Sequence, residues 1–342
     1  MLEIDGSYGE GGGQILRTAL SLSCLLRRPC RIVNIRRARK KPGLMPQHLA
    51  CVRLLTLISN AKVSGTDVGS TEMTFEPGEP IPGDYFFDIG TAGSTSLLLQ
   101  AVLPPLIFAG SPSRIALVGG THVPFSPPYH FISEIFLPML SRLGVVVSSS
   151  IERHGFYPRG GGKISVTLQP CRKVKAISLE ERGDIVSVTG ISAVGNLPAS
   201  IAERQRSAAE AVLAVIPSRP EIAMKTVMVD SYSPGTFVFL KAASRCISGF
   251  SSLGEQGKRA EAVGEEAARE LLRHLETGAC IDSHLADQMV IYLCLAGGAS
   301  KFTTSRISGH LMTNLWVIRQ FLDISSNVEG ELGKPGRVEI IP

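Results

Sequence analysis

The sequence predicts an α/β chain, layered in the α+β manner: a large domain of three similar units, interrupted by a smaller inserted α/β domain. Three observations carry this. The order apolar helix, strand, glycine-containing turn, strand occurs three times. Each occurrence is preceded by another apolar helix that small residues open. Between the second and third occurrences lies a stretch whose helices are strongly charged. A length of 342 residues suits two to three domains. A hydrophobic fraction of 44% against 19% charged residues excludes wholesale disorder, and 35 glycines without a G-x-y period exclude a collagen-like chain.

In the first unit, Gly11-Gly12-Gly13 opens a helix, a second helix runs through His48–Leu55, and strands follow at Ala61–Val63 and Glu72–Phe75. In the second, Gly90-Thr91-Ala92-Gly93-Ser94 opens the first helix. The second helix is Phe131–Leu137, with strands at Gly144–Val147 and Lys163–Val166. In the third, Ala286-Asp287-Gln288 is the expected opening, followed by a helix at Trp316–Leu322 and strands at Ser326–Val328 and Arg337–Ile340. The intervening stretch reads as β-α-β-β-α. Ile185–Val194 alternates as a strand, and Ala199–Ile216 is an amphipathic helix. Lys225–Val229 and Thr236–Ala242 predict a hairpin around Ser233-Pro234-Gly235, and Lys258–Leu275 is a charged helix. The expected domains are 1–181 with 277–342, and 182–276 inserted between them.

A net charge of +5 and a pI near 8.8 are compatible with a nucleotide or nucleic-acid partner and fall short of a histone-like binder. The most apolar stretch, Leu97–Ala109, is interrupted by Gln100, Pro104 and Pro105 and is shorter than the roughly 18 residues of a membrane helix. Acids stand in Met1–Asp5 where a signal peptide would carry bases. The seven cysteines contain no C-x-x-C, which favours free thiols in a reducing compartment. A cytoplasmic protein that does not enter the membrane is expected.

Four segments carry candidate chemistry. Glu10-Gly11-Gly12-Gly13-Gln14 frees backbone N–H groups at a helix start for a phosphate, although it is neither a P-loop nor G-x-G-x-x-G. Gln14, Arg17, Thr18 and Ser21 share one face of that helix among apolar neighbours, so Arg17 either reaches solvent or meets an anion. The run Arg36-Arg37-Ala38-Arg39-Lys40-Lys41 is either a solvated loop or a contact for polyanion phosphates; it lacks aromatics for base stacking. Arg153-His154-Gly155-Phe156-Tyr157-Pro158-Arg159-Gly160-Gly161-Gly162 is either a tight bend or a close backbone approach to a ligand. The seven histidines contain no H-x-x-x-H or H-E-x-x-H, so no metal cluster is indicated. His310, in Ser308-Gly309-His310-Leu311-Met312-Thr313-Asn314, stands at a strand-to-helix junction, in a structural or a functional role.

That ten-residue segment ending in three glycines is one of a series. Asp5-Gly6, Gly9-Glu10-Gly11-Gly12-Gly13-Gln14-Ile15-Leu16-Arg17, Lys41-Pro42-Gly43-Leu44 with Gln47-His48-Leu49, Gly119-Gly120-Thr121, Leu285-Ala286-Asp287-Gln288 and His310-Leu311-Met312-Thr313-Asn314 follow one order over nearly the whole chain. The series resembles the RNA 3′-terminal phosphate cyclases. The resemblance implies a large domain of three β-α-β-α-β-β units similar to the C-terminal domain of translation initiation factor three, with a small inserted domain. It also implies a ligase that turns an RNA 3′-phosphate into a 2′,3′-cyclic phosphodiester with ATP, through histidine–AMP and RNA–adenylate intermediates.

By motif position the resemblance makes His310 the AMP-accepting nucleophile and Glu10 and Arg17 its catalytic neighbours. Gln14, Gln100, His284, Leu285, Ala286, Asp287 and Gln288 fall at the ATP site, and Arg39, Lys40, Lys41 and Arg159 at RNA phosphates. A divalent metal, Mg2+ or Mn2+, is implied, with Glu10 as its candidate ligand. His284 departs from the family pattern, where tyrosine stands. The expected partner is RNA with a 3′-phosphate end, and a homodimer is left open. The alternative is a catalytically inactive cyclase-like scaffold of ribosome assembly, which the histidine of the His-Leu-x-Thr-Asn motif discriminates against.

Overall fold

The computed structural model describes residues 1–342. Three four-stranded sheets repeat one pairing pattern. In the first, β1 (Leu2–Asp5) lies parallel to β2 (Cys30–Val33), β2 is antiparallel to β4 (Met73–Glu76), and β4 is antiparallel to the edge strand β3 (Lys62–Ser64). In the second, β5 (Asp84–Asp88), β6 (Ser113–Gly119), β7 (Val147–Arg153) and β8 (Gly162–Leu168) are ordered β5-β6-β8-β7 with the same senses. Alternation sets the buried face: Ile164, Val166 and Leu168 of β8 point inward, with Lys163, Ser165 and Thr167 between them.

A third sheet begins with β9 (Ser178–Leu179). The fourth sheet then intervenes, made of β10 (Ser187–Gly195), β11 (Glu221–Met228), β12 (Gly235–Ala243) and β13 (Ile247–Leu253). The third sheet resumes with β14 (Ser300–Thr304), β15 (Ser325–Glu329) and β16 (Gly336–Ile341), in the order β9-β14-β16-β15.

The helices of the repeats are α1 (Gly13–Leu26), α2 (Pro46–Ser59) and α3 (Thr95–Ile107), followed by a composite helix of α4 (Tyr129–Phe131), a π-helical stretch Ile132–Phe136 and α5 (Leu137–Arg142). The intervening unit contributes α6 (Ala199–Leu213) and α7 (Ala260–Thr277), and the third repeat α8 (Ser283–Leu293) and α9 (Gly309–Phe321). Helix α1 packs on α3 and α9, so helices of all three repeats meet around it.

Three local expectations change. Strand β7 starts at Val147, because Leu143 and Val145 are packed in the helix-to-strand turn. Helix α8 opens one turn before Ala286: the Asp282 carboxylate accepts the Leu285 N–H at 2.8 Å and caps it. The expected hairpin between 225–229 and 236–242 does not form. Both strands pair with β10, β11 parallel on one side and β12 antiparallel on the other. Strand β12 is buried on both faces and so takes a central place, while its hairpin partner is β13, whose Ser-Gly-Phe-Ser-Ser run is poor in strand formers.

The faces of β12 divide the packing. Val238, Leu240 and Ala242 join a small core beneath α6 and α7, whereas Phe237 and Phe239 turn to the large core of the repeats. Helices α6 and α7 touch closely at Gly264, where a Cβ would lie 2.1 Å from the Gln205 carbonyl oxygen. Gly264→Ala gains about 1 kcal/mol of helix propensity. Forcing the helices apart costs about 1–3 kcal/mol, so net destabilisation is expected in thermal or denaturant unfolding.

Candidate active site

The loop Gly6–Gly12 is held against α9. Tyr8 stacks on Trp316 with ring centroids 3.9 Å apart, and Gly9, at φ +55°, sits so close to Thr313 that a Cβ would meet its Oγ1 at 2.6 Å. This docking delivers Glu10 to the start of α9. There His310 Nδ1 lies 2.5 Å from Glu10 Oε2. Gly309 makes room for the carboxylate, since a Cβ at that position would stand 2.3 Å from Glu10 Oε1. The side chains of His310 and Glu10 are 50% and 38% exposed, so the pair lines an open wall.

Desolvation lowers the His310 pKa, assisted by the Arg17, His284 and Arg39 charges and opposed by Glu10. The net shift favours the neutral imidazole. With Nδ1–H donated to Glu10, its Nε2 lone pair is free to act as a nucleophile.

The pair opens on a cleft of about 690 Å³, within the range of about 300–1,000 Å³ usual for small-ligand sites. From α1 it takes Gln14, Arg17, Thr18 and Ser21, the face that the spacing predicted. Gln14 Nε2 donates to the His310 carbonyl at 3.3 Å, and its Oε1 is buried without a partner, as are Ser21 Oγ and Tyr292 OH on the same lining. Arg17 is half-buried, and desolvation lowers its pKa. Its guanidinium has no hydrogen-bond or ion-pair partner in the protein, so a half-buried cation without a protein counter-ion lines the cleft.

Helix α8 supplies the opposite wall. His284, Asp287 and Gln288 line the cleft, whereas Leu285 and Ala286 point the other way into the core with no exposure. Gln100 Nε2 donates to Gln288 Oε1. Ser308 Oγ donates to Asp287 Oδ1 and accepts the Leu311 N–H at 2.9 Å, capping α9. Asn314 Nδ2 donates to the Asp287 carbonyl at 2.7 Å and its Oδ1 accepts from Thr18 at 2.7 Å, which links α1, α8 and α9. Burial raises the Asp287 pKa to about 7. His284 lies 3.3 Å from Glu270 and its pKa is raised by that carboxylate; the half-exposed pair stands on the cleft lining.

The basic loop divides. Arg39 reaches the site, its Nη2 donating to the Glu10 carbonyl at 2.8 Å beside Gly12. Arg36 serves its own loop, bonding the Lys41 and Gly43 carbonyls at 2.8 and 3.0 Å. Lys40 and Lys41 are exposed outside the cleft lining, and Arg159 also lies outside it.

The glycine-rich segment around Arg159 is a packed bend. A Cβ on Gly155 would lie 2.2 Å from the Gly119 oxygen, and Gly160 and Gly161 have φ of +66° and +67° against Ala92 and Tyr232. Sequence reasoning missed Glu270, Tyr292, Arg306 and Asn314 as lining residues. Asn314 stood in a quoted motif, four residues after His310 and so on the same helical face.

The RNA 3′-terminal phosphate cyclase family profile matches residues 8–328. The chain is 44% identical over 335 residues to the RNA 3′-terminal phosphate cyclase of Pyrobaculum aerophilum, covering 97% of this chain and 96% of that one. It is 43% identical over 342 residues to that of Pyrococcus furiosus, with 100% and 99% covered, and 44% identical over 330 residues to that of Methylococcus capsulatus, with 94% and 91% covered. Repeated α/β units whose helices meet around α1, with a histidine–carboxylate pair on the wall of a cleft that Arg17 and Arg306 also line, define a layered α/β protein with a polar small-ligand site. The chain belongs to the RNA 3′-terminal phosphate cyclase family. No helix is long and apolar enough to cross a membrane.

Proposed function

We propose that this protein is an ATP-dependent RNA 3′-terminal phosphate cyclase that works through adenylylated His310. The observation that carries the reading is the His310 imidazole held by Glu10 beside an Arg17 guanidinium that has no protein partner. A phosphate monoester is a poor electrophile because the oxygen that must leave is a bad leaving group. In the proposed sequence His310 Nε2 attacks the α-phosphorus of ATP; the P–N bond forms and diphosphate leaves. An oxygen of the RNA 3′-phosphate then takes AMP from the histidine. The neighbouring 2′-hydroxyl closes the ring by proximity and AMP departs.

Glu10 holds the Nδ1 proton and stabilises the positive charge that grows on the ring during attack. Arg17 receives phosphate oxygens, and the free N–H groups at the start of α1 add positive potential. Gln14 Oε1, Ser21 Oγ and Tyr292 OH are the unpaired polar atoms left for the nucleotide. A divalent cation, Mg2+ or Mn2+, fits as a companion of the triphosphate with Glu10 as a protein oxygen, and would neutralise phosphate charge. The inactive-scaffold alternative requires loss of the histidine motif, and His310 stands in it.

The test is a set of oligonucleotides differing in the terminal sugar, phosphate and base. A 3′-phosphate on a terminal 2′-deoxyribose should accept AMP and stop as the adenylate, and a 3′-hydroxyl end should not react. Cyclic product from RNA with no adenylate trapped on the deoxy end contradicts the scheme.

Glu10→Gln should move the acidic limb of the adenylylation pH profile downward. The carboxylate raises the His310 pKa, so removing its charge lowers it. The plateau rate should fall about 10²-fold with the lost charge stabilisation. A limb that moved upward would contradict the pairing. Arg39 sits at Glu10, so its charge belongs to both steps, whereas Lys40 and Lys41 are separable. Lys40→Gln with Lys41→Gln should spare self-adenylylation and weaken RNA binding. The salt dependence should become shallower by up to about 0.7 per lost phosphate contact in a log–log plot.

A further inference from the structure

The geometry points to a binding site for one first-row divalent transition-metal ion, of the zinc kind, formed by His122, His130 and His154. The three come from different places: the turn after β6, the first turn of the composite helix, and the end of β7. One ring nitrogen of each lies within 4.8 Å of those of the other two. His122 Nε2 and His130 Nδ1 are 2.9 Å apart. Nitrogens around a tetrahedral zinc at about 2.0–2.1 Å stand roughly 3.3 Å from one another, so the cluster needs a shift of about 1.5 Å at most to close on an ion.

Two features suit a ligand rather than packing alone. His154 Nε2 is buried and has no hydrogen-bond partner, a cost that a bonded ion removes. Thr121 Oγ1 lies 2.9 Å from His122 Nδ1 and accepts the Gly155 N–H at 2.9 Å. When it also accepts from His122 Nδ1–H, the Nε2 lone pair is directed at the other two rings, the second-shell arrangement that orients metal-bound histidines.

The surroundings choose the kind of ion. Phe237 stacks on His122 with centroids 4.1 Å apart, and Phe156 closes another side at 5.9 Å. No carboxylate belongs to the cluster. Three imidazoles in an apolar shell suit zinc, cobalt, nickel or copper and not the oxygen-seeking Mg2+ or Ca2+. A bound ion would join the turn that runs into the cleft wall at Phe125–Pro128 to the glycine-rich bend, beside the β12 face carrying Phe237. Its role is structural, separate from any cation that accompanies the nucleotide at His310.

The test uses the full-length protein after chelator dialysis, titrated with Co2+ and then displaced by Zn2+. One equivalent of Co2+ with the intense visible bands of a tetrahedral site is expected in the wild type and in His310→Ala, and is lost in His130→Ala and His154→Gln. Zinc should raise the Tm of the wild type and leave those two variants unmoved. Should the variants fail to fold, zinc-edge X-ray absorption of the loaded wild type reads the ligands directly. A shell of three imidazoles upholds the site. Absence of stoichiometric binding, binding unchanged in both histidine variants, or a shell without imidazole overturns it and leaves a hydrogen-bonded histidine stack.

Discussion

His310→Ala is expected to remove covalent AMP labelling and cyclisation together, by about 10³-fold or more, while the protein folds with an unchanged Tm. The separation is physical. The imidazole is half-exposed at the start of α9, where Ser308 caps the helix and Asp287 and Asn314 tie it to α8 without the ring. Losing the ring therefore removes the proposed nucleophile and little of the packing. The measurements are transfer of labelled AMP to protein, cyclic-phosphate yield, and a melting curve. Labelling retained in the variant would assign the adduct to another residue.

Arg17→Met should lower the rate of self-adenylylation by about 10²–10³-fold, the scale for loss of one preorganised donor to a charge-developing centre. Methionine keeps the length and apolar stem, so it isolates the charge. Most arginines that touch partners here do so through carboxylates or carbonyls, as Arg204 does with Glu261 and Arg36 with its own loop. Arg17 has neither and is half-buried at the cleft, so its replacement relieves a desolvation cost. The variant is accordingly expected to be no less stable than the wild type while adenylylating poorly. Unimpaired adenylylation with a lowered Tm would make Arg17 a structural cation.

How far this site could be read from the chain follows from where its parts come from. The α1 face was legible because Gln14, Arg17, Thr18 and Ser21 obey helical spacing within one element, and the cleft contains all four. The same rule separates His284, Asp287 and Gln288 from Leu285 and Ala286, which motif position had grouped with them although 284, 287 and 288 share a face. The contact of His310 with Glu10 spans the first and third repeats, and no local pattern announces it; only the order of motifs did. Strand β13 was lost because serine and glycine dominate it, and its place depends on pairing with β12. The three clustered histidines lie 8 and 24 residues apart on separate elements, beyond any ligand spacing a sequence scan recognises. The triple glycine left a bend and a ligand contact open; the neighbouring backbones at Ala92, against Gly160, and Gly155, against Gly162, account for it as a bend.

The most direct test of the central claim is incubation of the wild-type protein with ATP labelled at the α-phosphorus and a divalent metal, followed by denaturation and challenge of the label with acid and alkali. Histidine carriage of AMP predicts a covalent label that acid removes and alkali leaves in place, as a phosphoramidate behaves, and that maps to the peptide containing His310. No covalent label, or one that alkali removes as it would a carboxylate ester at Glu10 or Asp287, would contradict it.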